Sequence, residues 1–399
     1  MMAADSSVRR TPARAAFWRD PVKRALIFQF IVFALVAWFI WAVVDNTATN
    51  MQNRGVATGF GFLDVQAGFG IIQSLIPYSE ASSYGRAFWV GLTNTLLVAI
   101  VGIFFATLLG FVVGIARLSP NWLLAKVATV YVETFRNIPL LLQIFFWYSA
   151  VLKPLPGPRS LHEAGDAVFF SVNNRGIVLA EPVFGAAFSW VMWTLLAAIV
   201  AVFFLRRWAQ QRQERTGQPF PVFLTSLGLI LGLPLLVFLV SGAPLHFEPA
   251  QMSRFSLRGG VTIIPELIAL LLALVVYTAA FIAEIVRAGI QSVSNGQSEA
   301  AFALGLRPGP ALRLVIIPQA LRVIIPPLTS QYLNLTKNSS LATAIAYPDL
   351  VSVFAGTVLN QTGQAVEVMA ITLAVYLLLS LLTSMFMNWY NHRIKLVER

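Results

Sequence analysis

Eight runs of mostly apolar residues recur along this chain, each with the length of about 18 or more residues that a helix needs to cross a bilayer. The runs lie at roughly 26–44, 88–116, 127–152, 186–205, 220–241, 263–286, 314–334 and 366–388. The short alternating segments typical of a membrane β-barrel are not seen. The sequence therefore predicts an all-α polytopic membrane protein with about eight transmembrane helices.

The composition and the distribution of charge support this prediction. The chain is 57% hydrophobic and 11% charged, which is outside the range of soluble globular domains. A net charge of +11 could indicate a nucleic-acid partner, but 20 of the 28 lysines and arginines fall on one side of the membrane if the N-terminus is cytoplasmic. This asymmetry follows the positive-inside rule. It predicts that both termini are cytoplasmic, and it gives no reason to expect a nucleic-acid partner.

Few residues could support catalysis or bind a metal. The chain has no cysteine, which excludes disulfides and thiolate metal sites. Its three histidines, His162, His246 and His392, are far apart in the sequence and lie in loops or near the C-terminus. We therefore predict no catalytic residue and no metal site.

The loop between the sixth and seventh runs carries the most informative motif, EAAFALGLRPGPALRLVIIP at 299–318. Ala300 and Ala301 favour a helix and give it a thin face that permits close approach of a partner. Gly305 can end that helix, and Pro308 stiffens the exit. The loop is therefore predicted to contain a short, rigid helix on which another protein docks.

This motif resembles the EAA loop of the permease subunits of ABC importers. The matching residues are Glu299, Ala300, Ala301 and Gly305, followed after a nine-residue gap by Val315, Ile317 and Pro318. Four further segments resemble the polar and general L-amino-acid members of that family: GLTNTLLVAIVG at 91–102, YVETFRNIPLLLQIFFWY at 131–148, AAFIAEIVRAGIQSVSNGQSEAAFALG at 279–305 and LTKNSSLATAIAYPDL at 335–350. The resemblance covers roughly 59–152 and 263–390.

The resemblance implies a five-helix importer permease core formed by runs 2, 3, 6, 7 and 8. An extra N-terminal helix and an inserted helical pair would be added to it. The implied divisions are a basic cytoplasmic N-terminus at 1–25, a first transmembrane helix at 26–44, a periplasmic loop with an interfacial segment at 45–87, the first part of the core at 88–152, a periplasmic loop plus the inserted helix pair at 153–262, the second part of the core at 263–390 with the coupling loop at 287–318, and a cytoplasmic tail at 391–399.

The resemblance also implies a function and a set of partners. The chain would be the transmembrane permease subunit of an ATP-driven importer that moves L-amino acids across the bacterial inner membrane. A separate ATPase would dock on Glu299, Ala300, Ala301, Gly305 and Pro318. The expected partners are a second homologous permease (a hetero-dimer is favoured, and a homo-dimer stays open), two ATP-binding subunits, a periplasmic amino-acid-binding protein and membrane lipid. No G-x-x-x-x-G-K-[ST] motif occurs, so we expect no cofactor on this chain, and ATP and Mg would bind the partner ATPase.

A polar break near the end of the seventh run is the best candidate for the substrate pathway. Lys337, Asn338, Ser339 and Ser340 precede a proline turn that contains Asp349. Broken, polar backbone at membrane depth persists only where it is buried in protein or lines a cavity. Hydroxyls and Lys337 could bind the carboxylate of an amino acid, and Asp349 could bind its ammonium group. Alternatively, the segment is a structural re-entrant helix whose polar groups satisfy each other.

Three local features predict how the helices bend and pack. Pro139 predicts a kink in the third run. Gly110 and Gly114 have the spacing that lets two membrane helices approach closely. Glu284 and Arg287, three residues apart at the inner end of the sixth run, are predicted to form a local pair. This pair is either a simple interfacial ion pair or part of the path into the coupling loop.

Two other functions are open to a polytopic chain. An ion-gradient-driven secondary transporter of small polar solutes would show repeated halves with matching broken helices and a carboxylate in mid-span. An intramembrane enzyme would need a nucleophile and a base, or paired carboxylates, within the spans. Neither pattern is found, and neither function explains the loop at 299–318. The importer permease is therefore the favoured interpretation.

Overall fold

The computed structural model describes residues 21–53, 58–254 and 256–394. Within these ranges the chain is mainly helical, and seven helices are long and apolar enough to cross a membrane. A bent pair of shorter helices supplies an eighth crossing if it is counted as one span. The prediction of a polytopic helical protein with about eight spans is therefore confirmed. Most of the predicted N-terminal segment 1–25 and of the tail 391–399 lies outside the described residues.

The long helices follow the predicted apolar runs. In chain order the helices are α1 (Pro21–Asn53), α2 (Tyr84–Ala116), α3 (Trp122–Asn137), α4 (Leu140–Phe145), α5 (Pro158–Leu161), α6 (Phe188–Thr216), α7 (Val222–Leu227), α8 (Leu233–Val240), α9 (Pro265–Gln291), α10 (Asn295–Ala303), α11 (Pro308–Ala311), α12 (Ile317–Asn338), α13 (Leu359–Thr362) and α14 (Ala365–Ile394). π-Helical turns extend α4 through Phe146–Leu152, join α7 to α8 through Gly228–Gly232, join α11 to α12 through Leu312–Ile316 and precede α13 at Val351–Val358. Short 3-10 turns lie at Gly61–Asp64 and Ser339–Ile345.

A proline divides the third span. α3 ends at Asn137, Ile138 and Pro139 are extended, and α4 leaves at 105° to α3. Proline has no backbone N–H to donate and disfavours the helical conformation of the residue before it. The buried amide of Gln143 donates to the carbonyls of Phe135 and Ile138, both at 3.0 Å, and so pairs backbone groups at the break. The predicted bend at Pro139 is confirmed.

α2 and α9 cross closely at the centre of the bundle. A methyl group on Gly110 would lie 2.6 Å from Cβ of Ile282, and one on Gly114 would lie 2.8 Å from the carbonyl oxygen of Ala283. Both distances are far below van der Waals contact, so only glycine fits at this helix separation. The predicted role of the two glycines in close helix packing is confirmed.

α1 and the inserted helices keep most of their apolar surface outside this bundle. None of the apolar stretch of α1 is buried within the described chain, and little of α6 or of the continuous α7–α8 helix is. α6 and α8 pack on each other. α6 runs beyond its apolar part as far as Thr216 and stops at Gly217, whose φ of 69° is left-handed.

In the described part of the chain, the loops on one side of the helices form three small antiparallel sheets. The strands are β1 (Ala167–Val168), β2 (Phe170–Asn173), β3 (Gly176–Leu179), β4 (Glu181–Phe184), β5 (Leu245–Glu248), β6 (Ala250–Met252), β7 (Leu257–Arg258) and β8 (Val261–Ile263). Their orders are β1–β6–β7, β2–β3–β8 and β4–β5. In each sheet, strands that precede the inserted helices pair with strands that follow them. The region 153–262, predicted to hold a periplasmic loop plus the inserted helix pair, therefore carries paired strands on both sides of that pair.

Candidate functional site

A short helix, α10, connects α9 to α11 at the ends of the helices remote from the strands. Gly305 has a φ of 79°, its N–H donates to the carbonyl of Phe302 at 2.9 Å, and the N–H of Leu306 donates to the carbonyl of Ala301 at 3.1 Å. These two bonds form a Schellman ending, which needs a left-handed residue that glycine adopts without strain. The predicted helix and its stop at Gly305 are confirmed.

The side chains of α10 and its exit differ sharply in exposure. α10 packs on the Leu312–Ile316 turn, and Ala301 is only 3% exposed. Phe302 is 50% exposed and Leu304 is 82% exposed. These two residues were not among those predicted to bind a partner. The available signal was the presence of two large apolar side chains in a stretch that is otherwise small or polar.

The five residues predicted to bind an ATPase do not all face outward. Glu299, Ala300 and Gly305 are exposed. Pro318 is half-buried, and Ala301 is buried within the chain itself. The outer surface of the loop therefore consists of the first three residues together with the exposed apolar side chains beside them.

Three charged side chains connect α2 to the end of α9 from which α10 follows. Glu284 receives a hydrogen bond from Arg287 at 2.5 Å on one carboxylate oxygen and a hydrogen bond from Arg117 on the other. Arg287 also donates to Gln291 at 2.6 Å, and Arg117 lies 4.0 Å from Glu133 of α3. The predicted Glu284–Arg287 pair is confirmed. Its third member, Arg117, is the C-cap residue of α2, so local spacing could not indicate it.

The predicted pathway segment forms the end of α12 and the 3-10 turn after it. Lys337 is exposed and Asn338 is half-buried. The buried hydroxyl of Ser339 donates to the carbonyl of Thr336, and the hydroxyl of Ser340 donates to the carbonyl of Lys337, both at 2.7 Å. These hydroxyls are therefore already paired with the backbone of the helix end.

A cavity of about 440 Å³ opens beside this helix end, between α12 and α14. Its lining is mainly apolar and includes the polar side chains of Lys337, Ser340, Thr372, Tyr376 and Ser380. The structure therefore brings two of the five predicted pathway residues, Lys337 and Ser340, to one cavity. Such a cavity, mostly apolar with a few polar groups, has the character of a small-molecule site.

Asp349 is completely buried next to this cavity. Its carboxylate accepts the N–H of Ser352 at 2.8 Å and lies 3.5 Å from the hydroxyl of Thr343 and 3.4 Å from that of Tyr376. Burial raises the pKa of this carboxyl, which lies in the loop between the last two spans, to about 7. Tyr376, which sequence reasoning did not identify, both lines the cavity and contacts Asp349.

α2 holds the turn that precedes this carboxyl. The buried amide of Asn94 donates to the carbonyl oxygens of Gln73 and Pro348, each at 2.9 Å. The hydroxyl of Thr95 accepts the N–H of Leu350 at 3.0 Å. Because these bonds cross from α2 to the turn, the wall of the cavity is tied to the same helix that carries Arg117.

Comparison with known proteins gives consistent matches over nearly the whole chain. Residues 216–396 match the family model described as "Binding-protein-dependent transport system inner membrane component". The chain is 54% identical to the General L-amino acid transport system permease protein AapQ of Rhizobium johnstonii, over 98% of this chain and 99% of the relative. It is 54% identical to the Putative amino-acid ABC transporter permease protein YhdX of Escherichia coli, over 98% and 100% respectively. It is 45% identical to the Glutamate/glutamine/aspartate/asparagine transport system permease protein BztB of Rhodobacter capsulatus, over 94% and 95%.

Proposed function

This chain belongs to the family of binding-protein-dependent transport system inner membrane components, and from that premise we propose that it carries L-amino acids through the bacterial inner membrane. It is a multi-pass permease subunit of an ABC transporter and not an enzyme, and ATP hydrolysis belongs to a partner ATPase. The names of the three relatives support amino acids as the substrates.

The observation that carries the coupling part of the proposal is the exposed apolar tip of α10. Phe302 and Leu304 project from a short helix whose ending is fixed by Gly305. Covering one such side chain is worth about 1.5–3 kcal/mol. A helix that inserts apolar side chains into a groove of its partner is a common recognition mode. We therefore assign the docking of the ATPase to this tip together with Glu299 and Ala300.

The charged cluster offers a route from α10 into the membrane. Glu284 joins Arg117 of α2 to the last turns of α9, directly before α10. A displacement of α10 by the ATPase would therefore act on α2 and α9 together. Through Asn94 the same α2 holds the turn beside the cavity. ATP and Mg would bind the partner ATPase, with no cofactor on this chain.

The pathway itself is proposed to pass the cavity between α12 and α14. Lys337 supplies a positive charge for a substrate carboxylate. The hydroxyl of Ser340 donates its proton to the carbonyl of Lys337, so toward the cavity it offers only an acceptor. Asp349 would act through Tyr376, because its carboxyl group is buried and lies 3.4 Å from the hydroxyl of Tyr376, which lines the cavity.

One chain supplies one α10, and a transporter driven by two ATP-binding subunits needs two such helices. We therefore propose a second, homologous permease, favouring a different chain over a second copy of this one. A periplasmic amino-acid-binding protein would deliver substrate on the side of the strands. Both termini and α10 would face the cytoplasm, in agreement with the distribution of lysine and arginine.

Replacing Leu304 by alanine tests the docking surface. Removing most of this side chain from an apolar groove should weaken ATPase binding by about 1.4–2 kcal/mol, a factor of roughly ten to thirty. The measurement is co-purification of the ATPase, together with ATP-dependent uptake of amino acids in vesicles. Leu224→Ala is the matched control, because Leu224 is also exposed, at 69%, but lies on the inserted α7.

Normal ATPase association and uptake in a Phe302→Ala, Leu304→Ala double variant would reject this docking surface. Uptake driven by an ion gradient, without any ATPase, would instead support a secondary transporter. Ala301→Glu is a poor test of docking, because the buried side chain of Ala301 would report on packing within the chain.

A further inference from the structure

The strands β4 and β5 form a two-stranded ribbon that joins the ends of the inserted helices. Three residues separate β4 from α6, and four separate α8 from β5. In the antiparallel register, Pro182 lies opposite Phe247 and Phe184 lies opposite Leu245. The ribbon therefore lies next to the first residue of α6 and the last residue of α8.

The ribbon has one apolar face and one polar face. Opposed residues share a face and successive residues alternate, which determines the membership of each face. The apolar face consists of Pro182, Phe184, Leu245 and Phe247. The polar face consists of Glu181, Val183, His246 and Glu248. Phe184 and Phe247 are each 56% exposed, so the described part of the chain leaves much of the apolar face uncovered.

The apolar face continues into a groove on the neighbouring sheet β2–β3–β8. This groove has a volume of about 510 Å³. Its lining residues are all apolar: Phe169, Leu179, Ala180, Pro182, Phe247 and Val261. An apolar surface of this kind, next to membrane-spanning helices, marks a site of interaction with another apolar phase or partner.

The lengths of the inserted helices place the ribbon at the membrane surface. The helix Val222–Val240 has 19 residues and is about 28 Å long, and the apolar part of α6, from Phe188 to the residue before Arg206, is about 27 Å long. The hydrocarbon layer is about 30 Å thick, so each helix needs its whole apolar length to cross it, and the helix ends lie at the membrane surface. The exposed Trp190 and Trp193 near the start of α6 are typical of the membrane–water interface.

We propose that the β4–β5 ribbon lies on the bilayer surface, with its apolar face and groove in contact with lipid at the boundary between headgroups and acyl chains. Its polar face then points to water. The ribbon would act as a surface anchor that sets the depth of the inserted helices in the membrane. This role is independent of the substrate and of the ATPase.

The contacts favour lipid as the partner of this face, because the ribbon is attached to two helices whose apolar surface is largely unburied within the described chain. The N–H of Gly185 donates to the carbonyl of Pro244 at 2.9 Å, which extends the pairing to the helix ends. The rings of Phe184 and Phe188 are 4.6 Å apart, so the apolar face of the ribbon is continuous with the surface of α6. A rigid attachment of this kind leaves the apolar face at the level where the hydrocarbon ends.

The absence of cysteine from the chain allows a direct measurement of depth. Phe247→Cys places a single fluorescent label on the apolar face. His246→Cys places the same label one residue away on the polar face, and is the matched control. The full chain is reconstituted into phosphatidylcholine vesicles. Quenching is measured with iodide in the water and with lipid that carries a nitroxide near its carbonyl group.

We expect the nitroxide lipid to quench the label at 247 several-fold more than the label at 246, and iodide to show the reverse order. Phe184→Cys should behave like Phe247→Cys, which guards against a local defect in one variant. Equal iodide quenching at 246 and 247 would overturn the proposal. A label at 247 that is protected from both quenchers would also overturn it, because protein would then cover the face.

Discussion

A methyl group added to Gly110 tests whether the separation of α2 and α9 is set by their glycines. In Gly110→Ala the new Cβ would lie 2.6 Å from both Cβ and Cγ2 of Ile282 and 3.1 Å from the carbonyl oxygen of Ala279. Carbon atoms prefer about 3.5–4.0 Å, so the helices would have to separate by about 1 Å. Rotation of the Ile282 side chain gives no relief, because its Cβ is fixed to the backbone.

The expected loss follows from two opposing terms. Overpacking of this kind costs about 1–3 kcal/mol. Alanine in place of glycine in a helix contributes up to about 1 kcal/mol in the other direction. Since the obstructing atoms are immobile, we expect the upper end of the packing cost and a net destabilisation of about 2 kcal/mol.

Gly228→Ala is the control that removes the propensity term. Gly228 is also a helical glycine in a membrane helix, but a methyl group there would have no neighbour within 4 Å. We expect this variant to be as stable as the parent or more stable. The difference between the two variants then isolates the packing cost, about 2–3 kcal/mol or roughly a factor of 30 to 150 in the unfolding equilibrium.

The assay is the free energy of unfolding of the purified chain in mixed micelles, compared among the parent and the two variants. Gly110→Ala with a stability equal to that of Gly228→Ala would refute the reasoning. The double variant Gly110→Ala, Ile282→Ala should remain destabilised, because the Cβ of residue 282 is still present. Full recovery in that double variant would show that the close contact is only a side-chain clash.

Three further perturbations follow from the described contacts. Glu284→Gln removes the carboxylate between Arg117 and Arg287 and should lower the free energy of unfolding by about 1–3 kcal/mol. The loss is smaller than for a fully buried ion pair, because the side chain of Glu284 is 27% exposed. Asn94→Ala removes the amide that donates to the carbonyls of Gln73 and Pro348 and should lower the free energy of unfolding by about 1–3 kcal/mol, seen as a reduced unfolding temperature. The pKa of Asp349 is raised from 3.8 to about 7. Between these two pH values the native state therefore keeps a proton on this carboxyl group, whereas the unfolded state has released it. Stability should therefore fall as the pH rises from about 4 to about 7, and Asp349→Asn should remove that slope.

An unchanged free energy of unfolding in Glu284→Gln would contradict the role of this carboxylate between the two arginines. Asn137→Ala is the control for Asn94, because the amide of Asn137 is exposed and donates to the carbonyl of Glu133 within its own helix. Equal effects of the two substitutions would contradict the role of Asn94 in holding the turn. A pH slope that is unchanged in Asp349→Asn would assign the titration to another group.

The spans and the ending of α10 could be predicted because their causes are local. Hydrocarbon selects any continuous apolar run of sufficient length, whatever it packs against. Pro139 breaks the third span through its own missing N–H, and Gly305 ends α10 through its own left-handed backbone. A pair three residues apart, such as Glu284 and Arg287, also depends only on helix geometry.

The strands were missed because their pairing is not local. Each is two to four residues long, too short to show a period of two, and each sheet combines strands from both sides of the inserted helices. The two faces of the β4–β5 ribbon become visible only when the register places Pro182 opposite Phe247. The same limit applies to Arg117, whose partner Glu284 is on another helix.

The sequence by itself determined a polytopic helical chain, the place of the loop that carries α10, and the residues where helices bend or stop. Only the tertiary structure decided which side of α10 is free, so that Ala301 faces the chain while Leu304 faces outward. It also decided that Lys337 and Ser340 share a cavity while Asp349 is buried beside it. The physical reason is that helix formation and bilayer crossing depend on neighbours in the chain, whereas exposure and charge pairing depend on segments that only folding brings together.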